Sequence, residues 1–219
     1  RILCELMDGR AFTNKELACA AGITPQTASA HLKQLKMAGL TTSLRSGRHV
    51  YHQIANADVA SALEGLACLS PTDHLTRNNR SGSNTQLARS CYNHIAGRLG
   101  VLMTDRLAAS KVLHIRSDVV SPGPQYQAFL NDIGIEIQPI GGRKPLVKLC
   151  LDWTERRHHI SGPLATAIMQ KALDSQWIVR RTGSRTLTIA DHGFDAFGRW
   201  FGLSKDILDG AGDAQEFGR

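Results

Sequence analysis

The sequence predicts a mainly α fold with small β-hairpin wings, an α+β protein with a compact N-terminal unit and a helical C-terminal unit. Three observations carry this. Two strong helix starts follow one another closely, Thr13-Asn14-Lys15-Glu16 and Thr24-Pro25. Two β-prone runs then flank the basic turn Arg45-Ser46-Gly47-Arg48. The succession helix, strand, basic turn, strand, helix over residues 31–66 recurs weakly at about 166–200.

Taken in order, Ile2, Leu3 and Leu6 share one face of a first helix that Gly9 ends. Thr13 and Glu16 form a capping box for a second helix carrying Leu17, Ala18 and Ala21, and Gly22 breaks it. Thr24 caps a third helix, with Pro25 at its first position, where a missing N–H leaves nothing unsatisfied. Ala28, Leu32 and Leu35 form its inner face, while Gln26, Thr27, Ala30, His31, Lys33 and Gln34 point outward. A hairpin over Leu40–Ile54 follows, then a helix over Ala57–Leu69 with Val59, Ala60, Leu63, Leu66 and Ala67 apolar.

Residues 70–84, rich in Ser, Asn and Thr, read as a linker. Residues Thr85 to about Val112 read as one long helix with Leu87, Cys91, Ile95, Leu99, Leu102 and Leu107 on its apolar face. Ser117–Pro124 reads as a loop, Tyr126–Ile133 as a short helix and Pro139–Pro145 as another loop. A helix opened by Gly162-Pro163 precedes strands at Trp177–Val179 and Thr186–Ile189, with Arg181-Thr182-Gly183-Ser184-Arg185 at the turn, and Asp191–Phe201 closes the block as a helix. The expected organisation is therefore 1–69, linker 70–84, a C-terminal helical and winged-helix-like domain over 85–203, and a disordered tail over 204–219.

The 219 residues carry a net charge of +7, which favours an anionic partner, nucleic acid being the commonest. Aromatic residues make up only 5%, which argues against the stacking platforms of single-strand binders. No apolar run is long enough to span a bilayer. The five cysteines, Cys4, Cys19, Cys68, Cys91 and Cys150, are scattered, odd in number and without a CxxC pair. That suits free thiols in a reducing cytoplasm. No GxGxxG, Walker, GxSxG or HExxH motif is present, so no enzyme is expected.

A helix-turn-helix reads DNA when the start of its second helix reaches base edges in the major groove. Gln26, His31 and Gln34 are suited to hydrogen-bond bases, Thr24, Thr27 and Ser29 to bond phosphates or bases, and Ala30 to touch a thymine methyl. Lys33 and Lys36 suit phosphates, and Arg45 and Arg48 at the hairpin tip suit the adjacent minor groove or backbone. The run from Glu16 through Leu35, then Ala38-Gly39-Leu40, then Arg45-Ser46-Gly47-Arg48-His49-Val50-Tyr51, resembles the recognition helix and wing of the ArsR/SmtB family. The resemblance covers about the first third of the chain. It implies a homodimeric repressor on double-stranded operator DNA that an inducer releases. The positions matching that family's Cys-x-Cys metal pair hold Thr13 and Lys15, and the helix from Asp58 offers Asp58, Glu64 and Cys68 but no His, so neither standard metal site is expected.

Residues 85–203 resemble the appended domain of longer ArsR-type regulators, through Arg89–Gly100 and Cys150–His159. Cys91 and His94, three apart on the expected helix, share a face, and with Cys150 or the His158–His159 pair they would make a site for zinc or another soft metal. A redox-sensitive thiol at Cys91 is a second reading. A third is that Cys91 and Cys150 are small core residues, and that His158–His159 is an exposed step beside Arg156 and Arg157. Trp153 and Trp177 are expected in the core, and Arg180, Arg181 and Arg185 either touch DNA as a second wing or stay in solvent. The competing function is a tandem winged-helix scaffold that binds protein rather than DNA.

Overall fold

The computed structural model describes residues 1–69, 86–137, 145–181 and 185–209. The expected linker, most of the loop at 139–145 and the tail beyond 209 lie outside the described residues. The N-terminal unit comprises α1 (Ile2–Leu6), β1 (Phe12–Thr13), α2 (Asn14–Ala21), α3 (Pro25–Met37), β2 (Thr41–Ser46), β3 (His49–Ile54) and α4 (Ala57–Leu69). It follows the expected order closely because its boundaries are set locally. Thr13 accepts from the Glu16 N–H while the Glu16 carboxylate accepts from Thr13 N at 2.7 Å. Gly22 ends α2 in the left-handed region, and Thr24 accepts from Thr27 N at 3.2 Å to open α3. The three strands form one antiparallel sheet in the order β1-β3-β2, and Ser46 pairs with His49 across a Gly47-Arg48 turn. Leu17, Ala28, Leu32 and Ile54 pack beneath it with Ile2 and Leu6.

The C-terminal unit departs from the single long helix expected from Thr85 to about Val112. Residues 89–96 form a hairpin of β4 (Arg89–Cys91) and β5 (His94–Ala96), and the helix α5 runs only over Arg98–Ala109. Gly97 makes the break: it caps α5 at φ 81°, which an L side chain rarely adopts, and a Cβ there would lie 2.5 Å from the Gln86 carbonyl oxygen. The expected loop at Ser117–Pro124 is largely strand: β6 (Leu113–Arg116) pairs with β7 (Val119–Pro122). The helix α6 (Tyr126–Ile133) falls where expected.

The same succession then repeats. The hairpin β8 (Lys148–Leu151) and β9 (His158–Ser161) leads through Gly162, at φ 84°, into α7 (Pro163–Asp174). β10 (Ile178–Arg180), β11 (Leu187–Ile189) and α8 (Asp191–Phe201) follow. The C-terminal unit is thus two copies of hairpin, helix, hairpin, helix. The helix–hairpin–helix expected at 166–200 is present, and it recurs at 98–133. A short helix α9 (Lys205–Asp209) buries Leu208 at the start of the expected disordered tail, because an apolar anchor holds that turn on the core. Leu99, Leu107, Leu164, Ile168 and Phe197 are fully enclosed in the core that both copies share, and Trp177 lies in it as expected.

The two units are joined through buried polar contacts. The winged-helix core includes Cys91, Ala96 and Cys150. Asp8, 2% exposed, accepts from Ser90 Oγ at 2.6 Å and from Arg180 at 3.2 Å, and it also pairs with Arg10. Glu64 on α4, 1% exposed, accepts from Arg185 at 2.8 Å. Arg180 and Arg185 are therefore not solvated: they pair with the buried carboxylates Asp8 and Glu64, while Arg181 is exposed and the turn at 182–184 lies outside the described residues. Tyr92 N donates to Met7 O at 2.9 Å beside Gly9, whose φ is 78° and whose Cβ, if present, would lie 1.9 Å from the Tyr92 carbonyl oxygen. Gly9→Ala is expected to destabilise the chain by about 1–3 kcal/mol from the backbone conformation alone, with overpacking adding about as much. Urea unfolding of the full chain measures this, and an unchanged midpoint would mean that the units do not dock at Gly9.

Candidate functional site

Two sites emerge, one facing outward and one buried. The outward one is the start of α3 and the wing. Thr24, Gln26, Thr27, Ser29, Ala30, His31, Lys33 and Gln34 are all exposed, and so are Arg45 and Arg48 on either side of the Gly47 turn. Ala28 and Leu32 hold α3 on the core, which orients the polar face outward. Asn14 Nδ2 donates to the Pro25 carbonyl at 3.0 Å and ties α2 to the first turn of α3. Thr24 and Thr27 share a hydroxyl contact at 2.9 Å, so both serve the helix start. No ion pair among the described residues involves Lys33, Arg45 or Arg48. The Leu44 and Val50 side chains are exposed along the same wing.

The buried site lies between the two repeated hairpins. In β4–β5, Cys91 pairs directly with His94, and in β8–β9, Cys150 pairs directly with His159. Cys91 and His94 therefore meet across a hairpin, not on one helix face. Antiparallel partners bring their Cβ atoms within about 4.5–5.5 Å, so each hairpin presents one thiol beside one imidazole. The two hairpins face each other: the Cys91 and Cys150 sulfurs are 4.0 Å apart, and the His94 and His159 Nε2 atoms are 3.1 Å apart. All four ligand atoms lie within 4.8 Å of one another, and all four residues are buried. Cys91 and Cys150 are thus core residues and, together with the two imidazoles, members of a cluster with metal-ligand chemistry. Cys4 and Cys19 are exposed and stand apart from it.

His159 is not the exposed step expected from its neighbours. His159 lies in β9 with no exposed surface, and Ile160 beside it is also buried, whereas Arg156 and Arg157 precede the strand and are exposed. Arg157 instead donates from one guanidinium nitrogen to both carboxylate oxygens of Asp105, each contact 2.8 Å. The signal for His159 was in the sequence: His94-Ile95-Ala96-Gly97-Arg98-Leu99 and His159-Ile160-Ser161-Gly162-Pro163-Leu164 are near-copies 65 residues apart.

Asp152 organises the cluster from behind. Its Oδ2 lies 3.3 Å from His159 Nδ1 and accepts from Gly97 N at 2.7 Å. Its Oδ1 accepts from Arg89 at 2.7 Å and from the backbone of Thr154 and Glu155. Arg89 is fully buried, donates to Thr154 Oγ1 and lies 4.8 Å over the ring of Trp153, which gives that tryptophan its core position. Burial opposes the charge on Asp152, but the neighbouring His159 and the Arg89 guanidinium hold its carboxyl well below the usual carboxylate range. Burial also opposes charge on His159, yet Asp152 and the Cys150 sulfur raise it to about 9. Burial lowers His94. The hydrogen bond from Cys91 pulls Cys150 far down, and the same contact, with burial, pushes Cys91 up. The contact between the two sulfurs therefore favours negative charge on Cys150 over Cys91.

Among known proteins, the family model for the bacterial regulatory proteins of the arsR family matches residues 1–43. A Bacillus subtilis (strain 168) protein, the uncharacterized HTH-type transcriptional regulator YdfF, is 37% identical over 202 residues, covering 90% of this chain and 88% of its own. Two solved structures are also similar. The homodimeric winged helix-turn-helix DNA-binding domain of Mb0332 from Mycobacterium bovis, a possible ArsR-family regulator, is 33% identical over 36% of this chain and 67% of its own, with a TM-score of 0.27. The antimony-specific transcriptional repressor AntR is 25% identical over 35% of this chain and 68% of its own, with a TM-score of 0.30. Among the described residues, no helix is long and apolar enough to cross a membrane.

Replacing Asp152 with Asn removes the charge that balances the buried Arg89. A buried ion pair broken on one side costs about 3–5 kcal/mol, and Asp152→Asn is expected to lose that much in urea unfolding. A loss below about 1 kcal/mol, the ordinary value of an exposed pair, would show that water reaches the pair.

Proposed function

Because the chain belongs to the ArsR family of HTH-type transcriptional regulators, we propose that it is an inducible repressor, a homodimer that binds a palindromic double-stranded operator and leaves it when an effector acts on the C-terminal unit. The observation that supports this most is the outward face of α3, polar, exposed and free of ion pairs among the described residues, next to a wing tipped by Arg45 and Arg48. α3 lies in the major groove, where Gln26, His31 and Gln34 read base edges and Ala30 meets a thymine methyl. Thr24, Thr27, Ser29 and Lys33 bond phosphates or neighbouring bases, and Arg45 and Arg48 hold the adjacent backbone or minor groove. Helices α1 and α4 pair the protomers, and Leu66, 61% exposed on α4, supplies apolar surface for this.

The effector signal has a physical route. Asp8 follows α1 and Glu64 lies on α4, and both are held by arginines of the last hairpin. Ser90 of β4 also donates to Asp8 and to the Arg185 carbonyl, so a rearrangement at β4–β5 acts on the two helices that space the recognition helices. A metal ion, a thiol oxidant or a small organic molecule would all use this route. The chain works in the cytoplasm, where its thiols stay reduced, and no turnover is assigned to it.

Fluorescence anisotropy on the chain's own upstream DNA tests the proposal. Arg48→Ala is expected to weaken binding to every duplex and to lower the salt slope by about 1. Gln34→Ala is expected to lose about 1–3 kcal/mol on the operator and little on random DNA. Equal losses on both duplexes would remove Gln34 from base reading. Failure to bind any duplex at low salt would favour the protein-binding scaffold.

A further inference from the structure

We propose that Cys91, His94, Cys150 and His159 form a closed four-ligand site for a single thiophilic divalent cation of the zinc type. This goes beyond the proposed repressor function and stands without it. The first support is shape. A tetrahedral zinc with sulfur at about 2.3 Å and nitrogen at about 2.0–2.1 Å has ligand-to-ligand edges of about 3.3–3.8 Å. The sulfur pair at 4.0 Å and the imidazole pair at 3.1 Å are already close to those edges, and no ligand atom is more than 4.8 Å from another. The second support is repetition: both hairpins place a Cys opposite a His, three residues before a glycine that starts a helix. Two equal half-sites facing each other suit a ligand held equally by both.

The third support is the surrounding shell. His159 turns Nδ1 toward Asp152, so its Nε2 faces the cluster, the carboxylate–histidine arrangement that orients metal-bound imidazoles. His94 is buried and its Nε2 lies 3.1 Å from His159 Nε2, so both imidazoles turn the same nitrogen into the cluster. Charge also closes. Two thiolates and two neutral imidazoles neutralise a divalent ion, and the nearby carboxylates Asp152 and Glu64 each have an arginine of their own. On binding, the protons on the thiol and imidazole ligand atoms pass to solvent. Sulfur and imidazole donors select zinc, cadmium or cobalt over magnesium and calcium. Four protein ligands leave no open position, so the ion holds the hairpins together and does not activate water. A disulfide would need the sulfurs to close from 4.0 Å to about 2.05 Å and would leave both imidazoles facing each other without a shared ligand.

The test is titration of the full chain, reduced and stripped of metal, with cobalt(II) and then zinc. The expected result is one cobalt per chain, with the intense ligand-field bands of a tetrahedral site, a sulfur-to-cobalt charge-transfer band, and displacement by one equivalent of zinc. Cys91→Ser and Cys150→Ser should each weaken cobalt binding at least tenfold and reduce the charge-transfer band, while Cys19→Ser leaves both unchanged. Should a variant fail to fold, the stoichiometry and spectrum of the unaltered chain decide. Weak uptake with an octahedral spectrum, uptake abolished by Cys19→Ser, or a Cys91–Cys150 disulfide in place of uptake under reducing conditions would each overturn the proposal.

Discussion

The C-terminal unit depends on one buried carboxylate. Asp152 accepts from the backbone of its own turn, from Gly97 N in the other repeat and from Arg89, and it lies against His159. A buried charge is tolerated only when its hydrogen-bonding capacity is filled and an opposite charge lies near it. Each of those partners is consequently fixed in place. Arg89 belongs to the first hairpin and Asp152 follows the second, so the ion pair sets how the two hairpins face each other. The convergence of two thiols and two imidazoles follows from that placement.

The same hairpins bear on the winged helix. Ser90 contacts Asp8, Tyr92 bonds to Met7, and Arg185, beside β11, reaches Glu64 on α4. Ser90 N also donates to Arg185 O, and Leu187 N donates to Ala88 O, so the first and last hairpins share backbone hydrogen bonds. The seam is polar and buried, and therefore specific in register. It is also a place where a small change in hairpin geometry must be absorbed by α1 and α4, because unpaired buried charges are too costly to leave behind.

The N-terminal unit was legible in the sequence because its signals are local. A capping box, a Thr-Pro helix start and a Gly-centred turn each fix a boundary within a few residues, and the hairpin and helices followed. The C-terminal unit was harder for a physical reason. Leu87, Cys91, Ile95 and Leu99 recur at helical spacing, yet the chain turns at Tyr92-Asn93 and again at Gly97. Helical and cross-strand geometry both bring Cys91 near His94, so the spacing of those two residues predicts their proximity whether the element beneath is a helix or, as in the structure, a hairpin. The sequence leaves the His158–His159 pair open between a metal partner and an exposed step, because Arg156 and Arg157 beside it read as a solvated run; only the register of β9 against β8 sets His159 opposite Cys150. The role of Asp152 left no local trace, since its partners Arg89 and Gly97 lie far away in sequence.

The proposed site is two repeated half-sites closing on one ion. X-ray absorption at the zinc edge, on the full chain loaded with one equivalent of zinc, tests this most directly. Two sulfur neighbours at about 2.3 Å and two imidazole nitrogens at about 2.0 Å are the expected shell. A shell of oxygen and nitrogen without sulfur would contradict it.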